Sequence, residues 1–412
     1  MSRCHRALAR DTVLVAAAVW TLIAPAWAQT APAPLSLDAA IAQAQRVNPT
    51  IAAARLKRAT AQVAVDVARE RPNPEFRVEL ERETPTHAYT LGLPVETGGK
   101  RRRRIELSQA TTGVSDAELV RAMVEIRVAV RQAYFGRVEA ETRLSLLQEL
   151  QDLAARVVAT AQERFDAGSA PRLEVLQADL ARGDAENQAI AAGGAVAAAR
   201  AQLNALLALP QDAVLSLVTP FDVGPPAGSP ELLGRAQSTN IEIAVFDRQL
   251  DEQRSRIALA AALQVPDVTP EAAITRGNQP DFGTGWRVGV SVAVPIFTRH
   301  RAGVRLEEAA LAQLIAQRDA TVARITGEAT AAAAIANAQR QQYLRYRDAI
   351  VPQAIAVERL ADDSYRLGRT GIAAYLQALQ ASREVRLRMV QAAADYQSAL
   401  AQLERAIGAP LP

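Results

Sequence analysis

The sequence predicts a mainly α-helical chain with a small β part, built as a duplicated half-protein. Three observations predict this class: an internal repeat, two short segments in which apolar and other residues alternate, and long alanine-rich stretches without proline. Alanine is the strongest helix former, and strict alternation is typical of strands that have two different faces. The repeat means that one architecture has to account for both halves of the 412 residues.

The N-terminal segment has the pattern of a secretory signal peptide. A basic start precedes an apolar run at 12–24, and Ala26-Trp27-Ala28 has the small-x-small pattern of a cleavage site. The apolar run is about 13 residues long, short of the roughly 20 that a membrane-spanning helix needs. The sequence therefore predicts export, with residues 1–28 removed and a mature chain that begins at Gln29.

Cysteine and charge usage narrow the classes further. The only cysteine, Cys4, precedes the apolar run, whereas a bacterial lipoprotein carries its cysteine directly after that run, so lipid anchoring is not expected. The small net charge of +3, with arginines scattered among acidic residues, argues against a nucleic-acid surface. After residue 28 no apolar stretch is long enough for a helical span, which leaves a soluble periplasmic protein or a β-barrel.

The duplication is clearest around two glycines, Gly168 and Gly368. Matching segments are 44–48 and 236–240, 91–95 and 292–296, 164–168 and 365–368, 173–178 and 373–378, and 201–206 and 401–406. The repeat unit is about 200 residues, far longer than a solenoid repeat. We therefore divide the mature chain, 29–412, into two repeats, at about 35–210 and 229–412.

Alternating residues predict one β-hairpin in each repeat, near 74–94 and 267–295. Each strand is expected to run about 9 to 10 residues, the length that a tilted strand needs to cross a bilayer. A half-buried sheet on a soluble core is the alternative, but the second face of the strands carries full charges, as a water-filled lumen permits. The residues expected to face lipid are Tyr89, Leu91, Trp286, Val288 and Val290.

Long helices are expected to follow each hairpin. Helical hairpins are predicted near 96–208 and 297–408, with their reversals at Gly168 and Gly368. From 96 to 167 no proline interrupts the pattern, and at 1.5 Å per residue this stretch reaches roughly 100 Å. Because the returning helices are shorter than the outgoing ones, each is expected to stack end to end on a medium helix of its own repeat.

Four strands cannot close a membrane barrel by themselves. Closed barrels begin at about eight strands, and an open edge in lipid leaves backbone groups unpaired. The barrel is therefore expected to be shared between copies of the chain. The residues alone permit a dimer or a larger ring.

The pattern resembles the TolC-like outer-membrane efflux factor family over essentially the whole mature chain. The strongest carriers are Arg164-Phe165-x-x-Gly168 with Glu174-Val175-Leu176-x-Ala178, and the corresponding motif around Gly368. The resemblance implies a homotrimer in the cell outer membrane, with a shared twelve-stranded barrel continued by a long α-helical periplasmic barrel. It also implies a passive exit duct whose partners are a periplasmic adaptor (membrane fusion) protein and an inner-membrane pump.

The corner at 93–101 is similar to that of the heavy-metal branch, which serves resistance-nodulation-division pumps. A plain alternative is that Gly98 and Gly99 merely shape the corner. Heavy-metal cations are thus the expected substrate, and multidrug or organic compounds are the alternative. A periplasmic coiled-coil adaptor is a further alternative, against which the duplicated hairpin and the lipid-compatible strands argue.

The resemblance places a tunnel gate at the periplasmic tips. Its expected members are Glu174, after the first tip glycine, and Tyr365, before the second. The family's arginine falls on Thr370, and we expect Arg369 beside it to substitute by bonding to Glu174. The alternative is that all three are ordinary polar residues at helical turns.

Other chemistry is not expected. The family's acidic pair in the second tip is replaced by Ala374 and Gln377, which removes the expected cation-binding ring. His87 and His300 have no partners at metal-ligand spacing, so no metal site is expected. The cations at 100–104 are expected at the bilayer edge or the tunnel mouth. Because no catalytic or cofactor motif is present, neither an enzyme nor a cofactor is expected.

Overall fold

The computed structural model of the chain describes residues 34–83, 85–218, 221, 224, 230–277, 283–408 and 410. The expected signal peptide, residues 1–28, lies outside the described residues, as do residues 229, 409, 411 and 412 at the expected repeat ends. The described part is mostly helix with one small sheet, so the predicted mainly α chain with a small β part is confirmed. No helix among these residues has the length and apolar character needed to cross a membrane.

The same order of elements occurs twice. The first half contains α1 (Leu37–Val47), α2 (Pro49–Arg69), β1 (Glu75–Leu80), β2 (His87–Gly92), α3 (Lys100–Asp166) and α4 (Arg172–Leu206). The second half contains α5 (Pro230–Thr239), α6 (Ile241–Ala262), β3 (Val268–Arg276), β4 (Thr284–Val292), α7 (Arg301–Arg345), α8 (Val351–Arg366) and α9 (Ile372–Ile407). A π-helical turn, Tyr346–Ile350, joins α7 to α8 and has no counterpart within α3.

Two equivalent asparagines join the helices of each half. Asn48 and Asn240 cap the N-termini of α2 and α6 with their side-chain oxygens. Their amide nitrogens donate to the ends of the returning helices, from Asn48 to Leu206 O at 3.0 Å and from Asn240 to Ala406 O at 2.8 Å. The medium helix and the returning helix of each half therefore meet end to end.

The longest helix begins later than the first residue of the proline-free stretch. α3 is 67 residues long and starts at Lys100, whereas the helical pattern was expected from Glu96. The backbone at Gly98 and Gly99 has φ angles of 63° and 75°, in the left-handed region that a right-handed helix does not contain. These two glycines therefore form the corner, and the helix begins directly after them.

The sheet is antiparallel with strand order β1-β2-β3-β4. β3 and β4 have 9 residues each, but β1 and β2 have only 6 each, so the expected length of about 9 to 10 residues was wrong for the first hairpin. Pro74 and Pro94 flank these two strands, and because proline cannot donate to a ladder, regular pairing ends beside them. Pairing continues less regularly, through bonds from Leu93 N to Pro270 O and from Val95 N to Val268 O.

The helices beside the sheet follow the order of its strands. α2 packs on α3, α3 on α6, and α6 on α7, so these four helices lie side by side. α2 leads into β1 at one end of the sheet, and α7 follows β4 at the other. Each edge of the sheet therefore continues into one edge of this helical layer.

A buried ion pair crosses between the two halves. Arg131 of α3 contacts Glu404 of α9, with 2.6 Å between Nη1 and Oε1, and donates to Gln397 Oε1 at 3.1 Å. The Arg131 and Glu404 side chains are only 14% and 6% exposed. The pair thus joins helices of the two halves, whose apolar clusters include Tyr134 and Tyr396 respectively.

Candidate functional site at the helical tips

Each long hairpin reverses at a glycine with a left-handed backbone. Gly168 and Gly368 have φ angles of 70° and 67°, a conformation that costs glycine little. In the first turn Ser169 N donates to Arg164 O at 2.9 Å, and in the second Arg369 N donates to Ser364 O at 2.9 Å. Both bonds are those of a Schellman motif, which satisfies the last carbonyls of α3 and α8.

The two tips meet at Tyr365, which is fully buried although it is in the last turn of α8. Its hydroxyl donates to Glu174 Oε2 of α4 at 3.0 Å. Its ring stacks on Tyr375 of α9, with 5.5 Å between centroids and 25° between planes. Arg164 of α3 donates from Nη1 to Tyr365 O at 2.7 Å, and its guanidinium carbon lies 4.5 Å from the ring centroid. Tyr365 thus links α3, α4, α8 and α9.

An apolar cluster supports this contact from below. Tyr365 and Tyr375 pack with small and branched side chains of the neighbouring helices: Val157, Ala161, Ala178 and Ile372. The small alanines permit the close approach of the helices. Glu174 and Tyr365 are therefore held at hydrogen-bonding distance by packing on both sides.

The environment keeps both phenols protonated. Burial and the Glu174 carboxylate raise the pKa of Tyr365 to about 12, although Arg164 opposes the shift. Burial and the nearby Asp362 raise the pKa of Tyr375 as well. The pKa of Tyr365 is higher in the folded chain than its ordinary value near 10. The stability that the hydrogen bond to Glu174 contributes is therefore fully present below a pH of about 10. It is lost only as the pH rises through about 12.

The structure brings together two of the three expected gate residues. Glu174 and Tyr365 are in contact, whereas the side chain of Arg369 is exposed. Among the described residues, Arg369 forms no ion pair with Glu174, and the expected bond between them is not made within one chain. Arg164 takes the cationic place instead. Arg164 belongs to the first tip motif, but no role was predicted for it. Its position one turn before Gly168 is the feature of the sequence that indicates a role at the tip.

A groove between α4 and α9 begins beside this contact. Residues from both repeats line it, including the equivalent Gln177 and Gln377. Arg383 of α9 reaches across to Asp184 of α4, with 3.3 Å between Nη1 and Oδ2. Ala374 and Gln377, which replace the family's acidic pair, are exposed.

The first strand-to-helix corner has a packing requirement for glycine. A Cβ atom at Gly98 would lie 2.8 Å from Val265 Cβ, between α6 and β3. Lys100 is buried there against Asp267, with 2.8 Å between Nζ and Oδ1. Backbone conformation and close packing thus explain the corner glycines, and a heavy-metal assignment has to rest on other observations.

Two of the four arginines after Lys100 hold the end of α2, and the other two pair with Glu106 on α3. Arg101 donates to Arg69 O at 2.9 Å and 2.6 Å, and Arg104 donates to Ala68 O at 3.1 Å. Arg104 also pairs with Glu96 at 2.5 Å. Cations at the C-terminus of a helix satisfy its last carbonyls and its dipole. Arg101 and Arg104 therefore tie α2 to α3. These cations were expected at a bilayer edge or tunnel mouth, and this role was not predicted.

The histidines are separate from the tips. His87 Nδ1 lies 2.9 Å from Thr86 Oγ1 at the turn of the first hairpin. His300 precedes α7 and is exposed. Within the described ranges no three or more His, Cys, Asp or Glu side chains are grouped so that they could hold a metal ion.

Four antiparallel strands continued by two long helical hairpins, in a chain whose elements occur twice, define the fold class of the protein. The chain belongs to the outer membrane efflux protein family, whose sequence profile matches residues 40–209 and 232–409. The family consists of channel proteins, and the chain is not an enzyme.

Individual relatives extend over most of the chain. The cobalt-zinc-cadmium resistance protein CzcC of Cupriavidus metallidurans is 24% identical over 398 residues, which are 94% of this chain and 93% of the relative. The fusaric acid resistance protein FusA of Burkholderia cepacia is 27% identical over 305 residues, which are 66% of this chain and 57% of the relative. Both are similar to this chain at low identity.

A solved structure has the same fold. The outer-membrane channel OprN matches with a TM-score of 0.76 at 18% identity, over 90% of this chain and 89% of the OprN chain. At this identity the likeness shows the fold alone.

Proposed function

We propose that the protein is the outer-membrane channel of a tripartite efflux system, a passive exit duct for substrates that an inner-membrane resistance-nodulation-division pump drives. A periplasmic adaptor protein connects the two. Family membership supports the channel. The observation that carries the proposal is that the sheet and the helical layer of one chain end at the same two edges, as the parts of a ring would.

The two edge strands of the sheet each need a strand of a neighbouring copy to complete their pairing. In the described sheet β1 and β4 each pair on one side only. In lipid an unpaired strand edge is costly, because no water is present to bond its backbone groups. The β4 edge of one copy therefore pairs with the β1 edge of the next in the proposed assembly.

The helical edges support the same arrangement. Within one chain, Thr111 of α3 donates to Glu252 of α6 at 3.1 Å. Asn48 and Asn240 align α2 with α6, and the equivalent buried residues Ile126 and Ile325 align α3 with α7 ahead of the π turn. The corresponding pair is therefore Thr60 of α2 and Ala310 of α7. α3 and α6 lie between these two helices within one chain. The pair would meet only between copies.

The face of α2 around Thr60 is apolar and exposed. Leu56, Val63 and Val67 are 69%, 62% and 60% exposed and share one side of the helix with Thr60. Burying such a stripe against α7 of another copy removes apolar surface from water. Three copies give twelve strands, above the roughly eight at which closed barrels begin, and the resemblance to TolC-like proteins supports three.

An engineered disulfide tests this edge. With Thr60→Cys and Ala310→Cys in one chain, we expect oxidation to give covalently linked trimers on non-reducing gels, because the two positions meet between copies. The control is Thr60→Cys with Ala312→Cys, an exposed position on the opposite side of the same helix. If the first pair stays monomeric while the unmodified protein is trimeric by mass, the helical edge is misassigned.

The strands are proposed to lie in the outer membrane. The expected lipid-facing residues Tyr89, Leu91, Trp286, Val288 and Val290 are all exposed. On β2 the alternate residues Ala88 and Thr90 are buried. On β4 both phases are exposed, and the apolar phase is the one proposed to face lipid.

Heavy-metal cations are the proposed substrate. CzcC, named for cobalt, zinc and cadmium resistance, aligns over nearly the whole chain. FusA, named for fusaric acid resistance, supports the alternative of an organic substrate. The duct is proposed to take its substrate choice from the pump.

Deletion of the gene in its host separates these substrates. We expect the deletion strain to tolerate less cobalt, zinc and cadmium, because the exit path is lost, and plasmid-borne expression to restore growth. Fusaric acid tolerance is the control. Lost fusaric acid tolerance with unchanged metal tolerance would reverse the assignment.

A further inference from the structure

The two outgoing helices differ in one place. α3 runs unbroken for 67 residues, whereas its equivalent consists of α7 (45 residues), the π turn Tyr346–Ile350 and α8 (16 residues). The turn lies between α7 and the second tip. A π turn in one of two otherwise equivalent helices indicates a specific local cause.

Pro352, the second residue of α8, is that cause. Proline has no N–H, and its ring clashes with the carbonyl four residues earlier in a regular α-helix. Here Val351 N donates to Tyr346 O, five residues earlier, which widens the helix ahead of the ring. The equivalent residue of α3 is Asp152, which is exposed like Pro352 and leaves that helix regular.

Packing is weak from the π turn to the tip. The π turn buries no residue, and among described side chains α8 buries only Tyr365. The equivalent stretch of α3 buries Ala154, Val157 and Ala161. α8 packs chiefly on α9. It is thus an arm fixed at its far end by Tyr365 and attached to α7 by a turn that buries nothing.

The polar contacts of the turn are few and mostly exposed to solvent. Arg347 pairs with the adjacent Asp348 at 2.7 Å and lies over the ring of Tyr343, 5.8 Å from its centroid. Arg388 of α9 bonds to Tyr346 and also to Glu384 on its own helix. Solvent-exposed contacts of this kind are weak, so they give the turn little rigidity.

We propose that Tyr346–Ile350 is the hinge on which α8 swings when the contact between Tyr365 and Glu174 breaks. The second tip moves, while the first tip, at the end of the regular α3, stays in place. The inference rests on the proposed channel function, and it adds which segment bends and which residue makes it bend.

Hydrogen exchange tests the hinge directly on the full chain. Pro352→Ala restores the missing donor, and Pro352→Asp installs the residue of the equivalent position. We expect both changes to slow exchange of the amides at 346–351 by about tenfold or more, because a regular helix replaces the π turn. Gln353→Ala, at an exposed position beside the proline, should leave exchange unchanged.

Single-channel recording supplies the second readout. In a background with Tyr365→Phe and Glu174→Gln, either Pro352 variant should lower the open probability about fivefold or more, and Gln353→Ala should not. Unchanged exchange in both Pro352 variants overturns the hinge. Slower exchange with an unchanged open probability also overturns it.

Failure of the channel proposal would look different. If even the tip variant passes no current, the channel proposal fails, and exchange within α8 decides about the hinge. Loosening the tip must then speed exchange in α8 when Pro352 is present and must not do so with Pro352→Ala. Equal exchange in both backgrounds rejects the hinge.

Discussion

Replacing Tyr365 with Phe and Glu174 with Gln together is expected to raise the open probability of the channel in planar bilayers by about ten- to a hundredfold. The hydroxyl of the buried Tyr365 donates to the Glu174 carboxylate at 3.0 Å, and a bond to a charged group contributes about 1.5 to 3 kcal/mol. Three such contacts in a ring amount to several kcal/mol. A change of about 5.5 kcal/mol moves a two-state equilibrium from 1:99 to 99:1.

Trimer yield is expected to stay normal, because the edges of the proposed ring are far from the tips along the helices. Gln162→Ala, an exposed change on α3 near the same tip, is the matched control. If the double variant stays at the closed level of the wild type with a normal trimer yield, these contacts do not hold the gate.

Arg369 requires a separate variant. Its side chain contacts neither Glu174 nor Tyr365 within one chain, so Arg369→Gln cannot act through the contact that the structure shows. Its proposed place in the gate therefore needs a neighbouring copy. A raised open probability in Arg369→Gln would supply that evidence.

Glu404→Leu is expected to cost about 3 to 5 kcal/mol of stability, because it leaves the guanidinium of Arg131 buried without its charge partner. The measurement is the thermal midpoint of the detergent-solubilised protein. Glu328→Leu is the control, since the Arg324 and Glu328 side chains are 46% and 53% exposed and such a pair contributes about 0 to 1 kcal/mol.

A second replacement separates charge from packing. Arg131→Met combined with Glu404→Leu should recover most of the lost stability, because apolar residues of similar volume can replace a buried ion pair. A loss in Glu404→Leu no larger than in Glu328→Leu would mean that water reaches Arg131 and that the pair is not buried in the assembled protein.

The fold was readable from the sequence where local chemistry decides it. Gly168 and Gly368 mark the reversals because a Schellman turn needs a left-handed residue. The contact of Tyr365 with Glu174 was accessible only through the family resemblance, since the two residues are 191 positions apart.

The remaining features depend on partners that lie far away along the chain. Arg164 bonds to a carbonyl 201 positions later, and Lys100 to Asp267, so neither partner can be found from local pattern. Without knowledge of these distant partners, the five consecutive cations at 100–104 look like an exposed charged patch. The π turn was not predicted, because a proline in a helical pattern indicates only that the helix is disturbed. The pattern does not distinguish a bend, a break and a π turn.

The unlike edges of the chain have a genetic consequence. In the proposed ring each junction joins the α2 side of one copy to the α7 side of another, so a copy damaged on one side keeps a sound surface on the other. Such a copy still joins a growing ring and then prevents its closure. Defects at either edge are therefore expected to be dominant over the wild-type allele, whereas a chain that does not fold would be recessive.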